Sequence, residues 1–269
     1  MKVALIQSDI AWNDAKESLI RCEPLCDQAD AEGAQLLVLP EMFTTGFSLT
    51  TGAHAIESHE RGLSYLCELA HKRNVHCIGS LPEQVNTGEV FNTSYVIGPS
   101  GVVGKYRKIH LFSFGDEQTK YTPGNSADTF SIGDLKITPV ICYDLRFPHL
   151  FAETAKDTDL FVVVANWPSA RREHWLTLLK ARAIENQCFV VGVNRAGEGG
   201  GLEYSGDSVA FTPVGDPLAQ MGPGPGVRVV EIAASEVLSA RNKFPTLRDR
   251  RPKVYTQIRT EREVVGDGK

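Results

Sequence analysis

The run Leu160-Phe161-Val162-Val163-Val164-Ala165 constrains this chain more than any other stretch. It is apolar throughout and rich in β-branched residues, so it predicts a strand over 159–165, and a strand with no polar face must be covered on both sides. Residues 188–194, which end in Asn194, predict a second buried strand of the same kind. A helix is predicted between them from about Arg171 to Asn186, with Trp175, Leu178 and Leu179 on its apolar face and Arg182 and Glu185 three apart. Strands alternating with helices indicate an α/β chain.

The same alternation opens the sequence. A strand at 2–8 leads to a helix that Asn13 can cap and that runs to about Gly33, with Pro24 expected to kink or divide it. A strand at 35–39, a helix from Arg61 to Asn74 and a strand at 75–81 follow. Pro99-Ser100-Gly101 joins 90–98 to 102–106 as an antiparallel hairpin, and a second hairpin joins 130–132 to 135–141, so the sheet should be mixed. Strands are expected at 204–213, 217–221 and 227–232, then a short helix from Ser235 to about Asn242 and a basic, polar tail. The glycine run 197–201 reads as a mobile loop; it lacks the Lys-Ser/Thr of a phosphate loop. No linker or repeat divides the chain, and a single domain over 1–269 is the simplest organisation.

Charge removes several functional classes. With 28 basic and 33 acidic side chains the net charge is -5, which offers no general attraction to nucleic acid or to an anionic membrane. The apolar stretch at the N-terminus turns polar too soon for a signal peptide, and no run approaches a membrane span. The six cysteines are then best read as reduced thiols, with the cytoplasm as the expected compartment. Cys22 and Cys26 have no matching pair at zinc spacing, so no metal is expected.

The chemistry concentrates at strand ends. The strand at 135–141 stops at Cys142, where a thiol on a sharp turn could act as a nucleophile beside backbone N–H groups. Free cysteine is also among the most buried residue types, so a core position is the default for Cys142 taken alone. Glu41 ends the strand at 35–39, and Lys108 lies in the basic cluster Arg107-Lys108. The first could equally be an ordinary surface acid and the second a solvated cation. His110 and His149 are the nearest histidines in sequence that could serve a thiol as base, yet no papain-type signature surrounds Cys142.

Taken together, three blocks resemble the signatures of the carbon-nitrogen hydrolase (nitrilase) superfamily: Leu39-Pro40-Glu41-Met42-Phe43, Tyr106-Arg107-Lys108-Ile109-His110-Leu111-Phe112 and Cys142-Tyr143-Asp144-Leu145-Arg146-Phe147-Pro148. The likeness extends to Asn166-Trp167-Pro168, Arg182 to Asn186, and Gly206-Asp207-Ser208, and so covers nearly the whole chain. His149 departs from it, standing where a glutamate commonly follows Phe-Pro.

The resemblance implies a four-layer α-β-β-α sandwich with mixed sheets, assembled as a homodimer or higher homo-oligomer, with no cofactor. It implies that Glu41 is the general base, Lys108 the stabiliser of the tetrahedral intermediate and Cys142 the nucleophile, with Glu117, or else Asp116, as a second acid. The Tyr143 backbone N–H is then an oxyanion donor, and Cys142 should be alkylated faster than the other cysteines. Within the superfamily the sequence is most similar to the omega-amidases, which hydrolyse the terminal amide of short α-keto acids. Other carbon-nitrogen hydrolases (nitrilase, N-carbamoyl amino acid hydrolase, aliphatic amidase) and a non-catalytic binding protein are the alternatives. An acid substrate needs a cation, for which Arg171 or Arg172 is the candidate, and Phe43 and Trp167 are candidates for the pocket wall.

Overall fold

The structure, a computed structural model, describes residues 1–258; the last part of the polar tail, 259–269, lies outside the described residues. In chain order the strands are β1 Lys2–Gln7, β2 Leu36–Val38, β3 His76–Gln84, β4 Val90–Gly98, β5 Gly101–Arg107, β6 Phe130–Ile132, β7 Leu135–Ile141, β8 Leu160–Ala165, β9 Phe189–Asn194, β10 Ala196–Gly199, β11 Leu202–Ser205, β12 Val209–Phe211, β13 Pro217–Gln220 and β14 Gly226–Glu231. The helices are α1 Ala15–Ala31, α2 Gly52–Arg73, α3 Pro148–Thr154, α4 Arg172–Asn186 and α5 Ala234–Lys243.

Two six-stranded sheets stack face to face, ordered β14-β1-β2-β3-β4-β5 and β13-β12-β9-β8-β7-β6. Each has a parallel trio at its centre, β1-β2-β3 in one and β7-β8-β9 in the other, extended on both sides by antiparallel strands. Period-two alternation shows how the layers form. Val3, Leu5, Leu36 and Val38 point into the core shared with the second sheet, while Ala4, Ile6 and Leu37 point the other way, onto Cys22 and Cys26 of α1 and Leu66 and Leu69 of α2. On the second sheet, Phe151 of α3 and Trp175, Leu179 and Ala183 of α4 cover the outer face. Four layers, α-β-β-α, result.

Several elements differ from their sequence expectation. Asp14 rather than Asn13 caps α1, with Oδ1 accepting the Glu17 N–H at 2.9 Å, and Pro24 sits inside that helix without dividing it. Helix α2 starts at Gly52, about two turns before Arg61. The glycine run is no loose loop: β10 and β11 pair from Ala196↔Ser205 to Gly199↔Leu202, and the fully buried Arg195 donates to the carbonyls of Ile10 and Glu198 at 2.9 and 2.7 Å, fastening the hairpin to the body.

Candidate active site

The carboxyl ends of the parallel strands meet where the two sheets adjoin, as expected for a crevice in a wound sheet. Glu41 follows β2, Cys142 follows β7 and Asn166 follows β8, while Lys108 follows the antiparallel β5. Both turns are tight. Met42, next to Glu41, has φ 46° and Cys142 has φ 45°, a left-handed conformation that side chains other than glycine rarely adopt and that clusters at functional sites. Cys142 begins a single 3-10 turn, Cys142–Arg146, so the N–H groups of Cys142 and Tyr143 have no partner within that turn.

Lys108 is buried between two carboxylates. Its Nζ lies 3.0 Å from Glu41 Oε1 and 2.9 Å from Glu117 Oε2, and all three side chains are fully enclosed. Asn92, in β4, donates to Glu41 Oε1 at 2.8 Å and to Glu117 Oε1 at 3.3 Å. Phe112 N–H donates to Glu117 Oε2 at 2.7 Å and Asn166 N–H to Glu41 Oε2 at 2.8 Å. The buried Asp144 joins the nucleophile turn to the lysine loop: it accepts from Ile141 N–H (3.1 Å), the Tyr106 hydroxyl (2.8 Å) and His110 N–H (2.9 Å).

Electrostatics set the resting protonation. Burial by itself would discharge Lys108, but Glu117 and Glu41 outweigh it and hold the ammonium charged. Burial raises the Glu117 carboxyl, Lys108 opposes, and the neighbouring Glu41 charge adds to the rise. Cys142 is pushed well above the usual thiol range by burial first and then by Glu41, which acts through its charge and through a hydrogen bond to the thiol; Lys108 only partly offsets this. Burial and the Glu41 charge thus favour the protonated thiol, against the faster alkylation that the family resemblance implies.

Beside Sγ lies a small pocket of about 50 Å³. Lys108, Cys142 and Asn166 line it, with aromatic walls from Phe112, Tyr143 and Trp167. Two half-buried guanidiniums complete it. Arg146 lies 4.6 Å over the Trp167 ring and Arg171 lies 5.7 Å from the Phe112 ring, and among the described residues neither is paired with an acid. No three His, Cys, Asp or Glu side chains among the described residues converge to hold a metal ion.

Comparison with known proteins bears on what this cluster does. The profile of the carbon-nitrogen hydrolase family matches residues 2–242. The chain belongs to the carbon-nitrogen hydrolase family. It is 35% identical over 251 residues to the omega-amidase YafV of Escherichia coli strain K12, covering 93% of this chain and 96% of that one. It is 34% identical over 257 residues to a 2-oxoglutaramate amidase of Bacillus subtilis strain 168, covering 94% and 98%. Among solved structures, XC1258 of Xanthomonas campestris, a superfamily member with an arsenic adduct in its active site, superposes with a TM-score of 0.86 at 33% identity over 93% of this chain and 97% of that chain. This carbon-nitrogen hydrolase thus acts on amide carbon-nitrogen bonds. Among the described residues it has no helix long and apolar enough to cross a membrane.

The hydrolase fold draws together Glu41, Lys108, Glu117 and Cys142 from four separate segments, and puts Tyr143, Trp167 and Arg171 on the pocket. Other expectations are corrected. Phe43 packs between the first sheet and its helices, in the core with Leu39 and Leu66, and does not line the pocket. Arg172 is taken up by Asp207 in a two-pronged pair at 2.9 and 2.8 Å and does not line the pocket. Asp116 is exposed at a left-handed turn, leaving Glu117 as the second acid. His110 is no base for the thiol: it stacks on Phe147 at 3.7 Å and its Nδ1 lies 2.8 Å from Asp144. His149 is exposed on α3. Asn92, Arg146 and Asn166 also belong to the site, without a role legible in the sequence. The signal for Asn92 was the polar trio Asn92-Thr93-Ser94 inside a strand that is buried from end to end.

Proposed function

We propose that this hydrolase is an omega-amidase that uses Cys142 to release ammonia from the terminal amide of a short α-keto acid such as 2-oxoglutaramate or 2-oxosuccinamate. The observation that carries the reading is the pairing of a small thiol-lined pocket with two acid-free guanidiniums, Arg146 and Arg171. In this reading one of these planar cations at the pocket wall holds the carboxylate of a four- or five-carbon amide. The omega-amidase and 2-oxoglutaramate amidase relatives support the same substrate class.

The steps follow from the protonation state. Glu41 takes the Sγ proton as the sulfur attacks the amide carbon, and the charge that develops on oxygen meets Lys108 Nζ and the Tyr143 N–H. Glu41 passes its proton to the nitrogen, the C–N bond breaks and ammonia leaves a Cys142 thioester. Water then attacks the thioester while giving one proton to Glu41, the C–S bond breaks, Glu41 returns that proton to the thiolate, and the carboxylic acid product gives up its own proton to solvent or ammonia as the carboxylate. Glu117 acts through Lys108, holding its ammonium charged and aimed.

An ammonia-release assay on a substrate panel tests this. Turnover of 2-oxoglutaramate or 2-oxosuccinamate, abolished by Cys142→Ala, is expected. Hydrolysis of a nitrile or an N-carbamoyl amino acid with no ammonia from either keto-acid amide would overturn it.

A further inference from the structure

Tyr204 brings an unmatched hydroxyl to the pocket. It stands in β11 opposite Gly197 of β10, and it is only 5% exposed. The guanidinium of Arg195 lies 4.6 Å from the centre of its ring, and that arginine is itself fixed by the carbonyls of Ile10 and Glu198. The ring is therefore held in place before any ligand arrives. Its hydroxyl makes no hydrogen bond among the described residues, yet it is not one of the atoms sealed away from the surface. Tyr204 lines the pocket together with Cys142, Lys108, Arg146 and Arg171. Burial foremost, with Glu41 and Cys142, pushes the phenol up to about 12 against the pull of Arg195 and Arg171, so near neutral pH it stays protonated and can donate. The hydroxyl is thus within electrostatic reach of the thiol and of the pocket guanidinium alike. A tyrosine this buried usually finds a partner for its hydroxyl, and one that opens on a pocket without a partner calls for an acceptor from outside the chain.

We infer that the Tyr204 hydroxyl donates a hydrogen bond to the 2-oxo oxygen of the substrate, and so selects a keto-acid amide over one that carries a plain methylene at that carbon. The inference rests on the substrate class proposed above. The other polar ends of such a substrate have their partners: the amide oxygen faces Lys108 and the Tyr143 N–H, and the carboxylate faces a guanidinium. The 2-oxo oxygen remains. It sits one carbon from the carboxylate, on the guanidinium side of the reacting carbon, and a carbonyl taken out of water without a donor costs binding energy. A neutral phenol meets it without adding charge beside the two arginines. An amide with a methylene at that carbon leaves the hydroxyl as unmatched as before and gains nothing from it. Because the hydroxyl has no bond to lose within the protein, it can be removed without disturbing Glu41, Lys108 or Cys142.

The test follows ammonia release from 2-oxoglutaramate and from glutaramate, which has the same carboxylate and amide but no ketone, in wild type and Tyr204→Phe. The kcat/KM for 2-oxoglutaramate should fall on the order of tenfold more than that for glutaramate, with the melting temperature held. Equal falls on both substrates, which a merely structural role would give, overturn the inference, and so does no fall on either. A second readout needs no turnover: calorimetry of 2-oxoglutarate and glutarate on the same two proteins. Wild type should bind the keto acid more tightly, and Tyr204→Phe should lose on the order of tenfold of that preference. A preference kept in full, or none in wild type, overturns the inference. If wild type turns over neither 2-oxoglutaramate nor 2-oxosuccinamate, the substrate reading fails and takes this inference with it. Turnover of the keto-acid amide with the ratio unmoved in Tyr204→Phe sinks the inference alone.

Discussion

Glu41 Oε1 lies 3.0 Å from Lys108 Nζ in a pair with no exposed surface on either side chain. Glu117 closes on the same ammonium, so one buried cation serves two buried acids. Removing a single partner from such a cluster leaves charge that nothing compensates, which typically costs roughly 3–5 kcal/mol. Lys108→Met should therefore unfold at markedly lower urea concentration. The deficit should depend on pH. Without the cation the Glu117 carboxyl, already drawn upward, rises further; a folded state that holds the extra proton is favoured in acid and loses that advantage as pH rises. Urea midpoints should accordingly show a larger deficit at about pH 8 than at about pH 5. A pH-independent deficit would count against Lys108 opposing the rise of the Glu117 carboxyl.

Cys142 supplies a prediction whose sign runs against intuition. Burial and Glu41 both raise its pKa and Lys108 alone lowers it, so the wild-type thiol should be alkylated slowly near neutral pH and faster in base. Replacing Glu41 by Gln removes the neighbouring charge and leaves the ammonium, so the midpoint of alkylation should move to lower pH while turnover is lost. Mass spectrometry after brief iodoacetamide exposure across pH reads both. An upward shift in Glu41→Gln would show that the carboxylate does not act on the sulfur.

These two side chains also show what the sequence could and could not reveal. Cys142 and Glu41 sit where apolar strands stop, and that pattern is local, so strand ends and the residues on them were legible. Helix α2 was cut short because its first turns bury Ala55, Ser58 and Gly62, a helical spacing written in small residues that carries no hydrophobic signal. Gly62 has to be small: a Cβ there would lie 2.4 Å from the Leu81 side chain. The β10–β11 hairpin was hidden for another reason. Its glycines suggest freedom, and only the distant partners of Arg195 reveal a fixed element. Asn92 and Phe43 depend on which face of a strand or turn meets the site, and that is settled by the stacking of the two sheets. Arg171 and Arg172 are adjacent in sequence, and tertiary partners alone divide their roles.

Glu83 should govern part of the response to acid. Burial would raise its pKa, but hydrogen bonds from Arg107 at 2.9 Å, Lys105 at 2.6 Å and Thr93 at 2.8 Å prevail and hold it at about 2. A carboxyl depressed in the folded state adds stability above its ordinary pKa, and that contribution is lost as pH falls from about 4.5 toward about 2. Because Lys105 and Arg107 are partly exposed, solvent screening trims it to on the order of 2 kcal/mol. Thermal melts of wild type and Glu83→Gln should converge as pH drops through that window. Parallel curves would mean that this cluster, which straps β3, β4 and β5 together, contributes nothing that titrates.

The arginine neighbours give the most direct check on substrate class. Arg171 lines the pocket and has no acid partner among the described residues, whereas Arg172 is held by Asp207 and Glu173 away from it. If Arg171 receives a substrate carboxylate, Arg171→Met should raise KM for 2-oxoglutaramate by about ten- to a hundredfold, the weight of a charge-assisted hydrogen bond, and should leave a neutral amide of similar size nearly unaffected. Arg172→Met should do the reverse: it strips a two-pronged partner from the buried Asp207, so stability should fall by about 1–3 kcal/mol, with the preference between acid and neutral amides unchanged. Arg146 shares the pocket; burial first and then repulsion from Arg171 lower its pKa, and the repulsion is relieved when an anion sits between them. The double variant Arg146→Met/Arg171→Met should therefore show a coupling: once Arg171 is gone, the second loss costs less for the acid substrate than it does in wild type. Equal effects of Arg171→Met on acid and neutral amides would move the carboxylate site elsewhere.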